Sequence, residues 1–100
     1  MKVAAYVPDL MDRSKVSAAV PDAVFVSRPE ELIAIDADLV VLDLTRPGAI
    51  DVLSNLDAPT LGFCRHTMRD VIAAAEAAGC DRVLVRSEFF ADIAGAVQGR

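Results

Sequence analysis

Tryptophan is absent from the chain, and only four Phe and one Tyr supply aromatic rings. Flat ring surfaces on which bases or sugars stack are therefore scarce. Positive charge is also short, since 10 Lys and Arg stand against 15 Asp and Glu for a formal net charge of -5. That balance weighs against contact with a phosphate backbone, and nucleic acid is not an expected partner. Cysteine is limited to Cys64 and Cys80, with no Cys-x-x-Cys spacing. A reduced pair of small buried side chains in a cytoplasmic protein is the expectation. No apolar run approaches the length of a membrane span. The short apolar stretch after Lys2 breaks at Pro8-Asp9, which marks a first strand rather than a signal peptide. No glycine-rich, phosphate-cradling loop follows it, because Pro8-Asp9-Leu10-Met11 occupies that place. Repeats, linkers and low-complexity segments are missing too.

What is present is aliphatic. Hydrophobic residues make up 54% of the sequence, enough for one core in a single domain over residues 1–100. The chain is organised around Ala37-Asp38-Leu39-Val40-Val41-Leu42-Asp43-Leu44-Thr45-Arg46-Pro47-Gly48. An unbroken Val/Leu run of this kind suits the middle of a parallel sheet covered on both faces. Asp43 then stands at the carboxyl end of the strand, the edge at which open α/β sheets bind ligands.

Strands are expected over residues 2–7, 23–26, 60–64 and 82–85, besides the central one. Helices are expected over residues 11–20, 30–35, 49–56, 68–78 and 87–97. In the first helix Met11, Val16, Ala19 and Val20 mark the inward face, with Asp12, Arg13 and Lys15 outward. Ser27-Arg28-Pro29-Glu30 reads as a helix start, with a capping serine and Pro in the first turn. Thr67 and Ser87 are the expected caps of the last two helices, and Gly79 closes the fourth on its left-handed C-terminal residue. Strand and helix alternate five times, which favours a doubly wound, flavodoxin-like parallel sheet in the order 2-1-3-4-5 with helices on both faces.

Three pieces of the sequence resemble the response-regulator receiver domain, the phosphoacceptor module of two-component signalling. Asp38 to Gly48 is similar to that family's third strand, whose terminal Asp accepts the phosphoryl group and is followed four and five residues later by Pro-Gly. Glu76-Ala77-Ala78-Gly79-Cys80-Asp81-Arg82-Val83-Leu84-Val85-Arg86 resembles the turn and fifth strand that end in a catalytic Lys. Pro59 to Cys64 looks like the fourth strand, which ordinarily ends in Thr or Ser. The resemblance covers essentially the whole chain and implies Asp43 as the phosphoacceptor position.

The same resemblance locates the departures. Phosphoryl transfer to Asp requires a divalent cation, held in receivers by an acidic pair at the end of strand one together with the acceptor. Here that corner offers Asp9 alone, so only weak Mg2+ binding at Asp9 and Asp43 is expected. Arg86 stands for the Lys, Cys64 for the hydroxyl and Val83 for the aromatic switch residue. Arg keeps the charge in a planar, bulkier fork, and a thiol is a poor donor to a phosphoryl oxygen. The expected function is thus a non-enzymatic, receiver-like signalling or protein-interaction domain with lost or atypical phosphorylation. A working receiver using Asp43 and a small flavodoxin-like ligand-binding or enzymatic domain are the alternatives.

Plainer roles stand beside these. Asp43 is expected to cap its own loop or to pair with Arg86, and Asp9 to serve the turn after Pro8. Arg65, His66 and Arg86 form a candidate anion-binding group, while Cys64 and His66 are too few for a zinc site. Phe89 and Phe90 open the last helix, one ring in the core and the other at a candidate interface. A protein partner is expected, and the resemblance implies a homodimer through helix four, strand five and helix five.

Overall fold

The structure, a computed structural model, describes residues 1–99. Five parallel strands form one sheet in the order β2-β1-β3-β4-β5, as the alternation of elements predicts. They are β1 (Val3–Tyr6), β2 (Val24–Phe25), β3 (Leu39–Asp43), β4 (Thr60–Cys64) and β5 (Arg82–Val85). Every residue of β1, β3 and β4 is buried, so these strands lack the alternation of a half-solvated sheet.

Successive side chains point to opposite faces and divide the core in two. On one face Val3, Ala5, Leu39, Val41, Leu61 and Phe63 pack against Val16 of α1 (Leu10–Ala19), Phe89 of α4 (Arg86–Ala91) and Ile93 and Val97 of α5 (Ile93–Val97). On the other, Ala4, Tyr6, Val40, Leu42 and Cys64 meet Val52 of α2 (Ala49–Val52) and Ala75 of α3 (Arg69–Ala77). Leu32 joins this second face from a 3-10 turn at Pro29–Ala34, and Leu53 from another at Leu53–Asn55.

Several local expectations are revised. The segment at residues 30–35 is a 3-10 turn, and its cap is made by Glu31, whose carboxylate accepts from the Ser27 and Arg28 amides at 3.1 and 2.8 Å. The Ser27 hydroxyl is not the cap. Met68 precedes α3 without a side-chain cap, so Thr67 does not fill that role. The last helix begins at Arg86 with no Ser87 cap and is broken at Asp92. Asp92 has φ -154 and accepts from the Gly95 amide at 2.9 Å, which makes it the cap of a second segment. Asp12 faces inward, 6% exposed, where an outward position was expected. Its place one turn before Val16 puts both on the buried stripe.

The two ends of the sheet are tied differently. At the amino ends of β4 and β5, Thr60 donates its amide to Asp81 Oδ2 at 2.8 Å and accepts the Asp81 amide on Oγ1 at 2.9 Å. At the carboxyl ends β3 opens into a loop closed by Gly48 at φ +84, a left-handed conformation that glycine adopts without strain. Gly62 sits between Leu42 and Val83 in mid-sheet, and a Cβ there would lie 2.6 Å from Leu44 Cγ. Gly62→Ala is therefore expected to lower stability by about 1–3 kcal/mol through overpacking, measured by urea unfolding.

Candidate functional site

The carboxyl ends of β1, β3, β4 and β5 surround an open cavity of about 630 Å³. Asp43 lies on its floor, 3% exposed. Its Oδ1 accepts the Thr45 hydroxyl at 2.6 Å and the Thr45 amide at 3.1 Å, and Arg46 Nε stands 3.6 Å from Oδ2. The carboxylate thus folds its own following loop into a turn, as an Asp at a strand end does when its side chain replaces a backbone acceptor.

Arg86 is not the partner of Asp43. Its guanidinium donates from Nη1 and Nη2 to the two oxygens of Asp12, at 2.9 and 2.8 Å. The fork-to-fork geometry is the strong form of a charge-assisted pair. Arg86 begins α4 immediately after β5, whereas Asp12 lies in the first turn of α1, so the pair bridges the cavity's rim. The guanidinium also lies 4.8 Å above the ring of Phe90 and 5.5 Å above that of Phe63. Phe63 and Phe89 stack with centroids 4.7 Å apart, and Phe90 meets both edge-on. The hydrogen bonds to Asp12 hold the Arg86 pKa above its ordinary value, with the charges of Asp12, Asp43 and Asp9 adding to the effect.

The predicted acidic corner is more occupied than the sequence indicates. Asp9 accepts the Asp12 amide at 3.0 Å and so caps α1; that hydrogen bond places its carboxyl below the usual range. Asp12 is the acid that sequence reasoning missed. The four-residue spacing from Asp12 to Val16 carried the signal, because Val16 is the most deeply buried residue of α1. Thr45, Arg46 and Lys15 also line the cavity and were not singled out from the sequence.

Among the other expected site residues, the cysteines and Val83 lie away from the cavity. Cys64 is fully buried among the side chains of the α2–α3 face and does not line the cavity. Burial, followed by the charges of Asp43 and Asp70, pushes its thiol pKa up. Cys80 is also buried, its thiol raised chiefly by desolvation. Val83 is half-buried on the same face. Arg65 and Arg86 line the main cavity, and both also line a smaller hollow of about 280 Å³ together with His66, Thr67 and Ser87. The three residues of the candidate anion-binding group thus share the smaller hollow, and only His66 stands outside the main cavity. Phe89 is wholly buried, which removes it from the expected interface, and Phe90 is half-buried with one face under Arg86.

Two measurements follow from this geometry. A double-mutant cycle with Asp12→Asn and Arg86→Met, read by urea unfolding, is expected to give a coupling of about 1–3 kcal/mol; a coupling near zero would show the pair to be incidental. Both thiols have raised pKa values and stay neutral where an ordinary thiol begins to ionise. An aromatic disulfide reagent at pH 8 is thus expected to label neither cysteine in the folded chain and both in denaturant.

No protein-family model and no curated protein sequence matches the chain. Solved structures do match in three dimensions. A response regulator from Hahella chejuensis superposes with a TM-score of 0.77 at 19% identity, over 98% of this chain and 89% of that one. The Vibrio cholerae chemotaxis protein CheY4 gives a TM-score of 0.80 at 17% identity, over 98% and 96% of the two chains. Full-length ShkA, solved in complex with AMPPNP, gives 0.71 at 18% identity over 98% of this chain, which spans 23% of that longer protein. With its strand order and the placement of Asp43 at the end of the central strand, the chain has the receiver-domain fold of the response regulators.

Proposed function

We propose that the chain is a receiver-like signalling domain that acts by binding another protein and does not turn over phosphoryl groups on Asp43. The observation that carries this reading is the Arg86 guanidinium fixed on both oxygens of Asp12. Transfer of a phosphoryl group to a carboxylate needs a divalent cation to neutralise the equatorial oxygens. Each of the three acids that line the cavity already has another task. Asp9 caps α1, Asp12 is neutralised by Arg86, and Asp43 is engaged by Thr45 and Arg46. Among the described residues no group of three or more His, Cys, Asp or Glu is arranged to hold a metal. Weak Mg2+ contact at Asp9 and Asp43 is the most this donor set supports.

The elements that would answer a phosphoryl group also differ. The Cys64 thiol is buried away from the cavity, and the position of the expected aromatic switch holds Val83. Arg86 supplies a permanent positive charge where receivers recruit a cation and a lysine, so the local charge balance does not await a modification. Binding of a partner, including a second copy through α3, β5 and the α4–α5 pair, then depends on the surface as folded.

Incubation with Mg2+ and a small acyl phosphate, followed by intact-mass measurement, is expected to leave the mass unchanged. A stoichiometric phosphoryl adduct that disappears in Asp43→Asn would establish a working receiver instead.

A further inference from the structure

Four of the chain's ten basic residues, Lys15, Arg46, Arg65 and Arg86, line the main cavity at the carboxyl edge, although the chain as a whole carries a net charge of -5. The carboxylates of that cavity do not cancel them evenly. Arg86 is neutralised by Asp12 at 2.8 Å, and Arg46 makes a longer contact with Asp43 at 3.6 Å. Arg65 and Lys15 have no carboxylate within salt-bridge distance among the described residues. The Lys15 ammonium rests instead 5.5 Å from the Phe90 ring centroid. The apolar part of the lining is Met11, Pro47 and Met68. Met11 is 72% exposed, a flexible thioether beside a charged hollow with no core to fill.

We propose that this cavity binds a small phosphate monoester non-covalently, the phosphate held by Arg65, Arg46 and Lys15 and the organic part lying against Met11 and Met68. The proposal rests on the reading that Asp43 is not a phosphoacceptor, because it assigns the space above Asp43 to a ligand. A volume of about 630 Å³ falls within the range of small-molecule sites. Guanidinium groups match phosphate oxygens in bidentate geometry, and a dianionic head uses several cations where a carboxylate satisfies one. The fixed Arg86–Asp12 pair forms a neutral wall, and Thr45 and Arg46 engage the Asp43 carboxylate on the floor. Lys15, Arg46, Arg65 and Arg86 thus outnumber the carboxylates of Asp9, Asp12 and Asp43, and the ligand meets the surplus charge on the side of Arg65 and Lys15. Signalling would then respond to the level of a phosphorylated metabolite rather than to a kinase.

The test is a titration of the ¹⁵N-labelled chain with phenyl phosphate, without Mg2+, followed by amide NMR shifts. Saturable shifts are expected at residues 45–48 and 65–68, with affinity above that for inorganic phosphate or benzoate. Arg65→Ala is expected to weaken binding about tenfold, the loss of one charge-assisted contact. Arg28→Ala, which removes an exposed arginine paired with Glu30 outside the cavity, is expected to leave binding unchanged. Absence of saturable shifts, equal affinity for inorganic phosphate, or an Arg65→Ala variant that binds as tightly as the parent would each overturn the proposal. Phenyl phosphate is not an acyl phosphate donor, so the two readings fail separately. An acyl-phosphate adduct on Asp43 alongside intact phenyl phosphate binding overturns only the claim that Asp43 is inert, and no adduct with no binding overturns only the ligand.

Discussion

A guanidinium seated on aromatic rings and locked to a buried carboxylate organises the functional end of this molecule. Arg86 is positioned from below by the Phe63–Phe89–Phe90 cluster and from the side by Asp12. The rings keep water from one side of the ion pair, which strengthens it, while the fork geometry satisfies both carboxylate oxygens and limits the desolvation cost of Asp12. Because the pair joins the first turn of α1 to the start of α4, it fixes, with the Lys15–Phe90 contact, the separation of two elements that otherwise meet through the core. The shape of the cavity follows from that separation.

The helical layer is thin, yet the sheet remains covered. Where a full helix would stand between β2 and β3, a 3-10 turn at Pro29–Ala34 delivers Leu32 at 1% exposure. Between β3 and β4, two short turns supply Ala49, Val52 and Leu53. The side chains that reach the sheet are thus retained while the outward-facing residues of longer helices are dispensed with. Short helices gain little from their own propagation, and their order comes from the apolar contacts they make. This is how a chain of 100 residues completes a five-stranded doubly wound sheet.

The fold was legible in the sequence because parallel strands buried on both faces leave an unambiguous trace, such as Leu39–Asp43, and because Pro8, Pro21, Gly48, Pro59 and Gly79 punctuate the alternation. The position of Asp43 at the cavity floor followed from the same pattern. The pairing of charges was not legible. Asp12 and Arg86 are 74 residues apart, and nothing local distinguishes a helix-face Asp that turns inward from one that points to water unless a buried partner is known. Asp43, at the same sheet edge with β4 between, was an equally sensible partner for Arg86 by strand order. Thr45 decided the matter, since a hydroxyl and an amide two residues away engage the Asp43 carboxylate locally. Cap identities were missed for a similar reason: the acidic side chains of Glu31 and Asp92 were better placed for free amides than the hydroxyls of Ser27 and Ser87.

β5 ends at Val85 and α4 begins at Arg86, with no residue between them. That junction leaves one side of the cavity without slack. The rest of the rim includes residues 44–48 after β3 and residues 65–68 after β4, where Thr45, Arg46, Pro47, Arg65, His66 and Thr67 are exposed. The wall bearing Arg86 is consequently the braced side of the cavity, and whatever occupies the cavity is met from solvent by the side chains of these exposed loops.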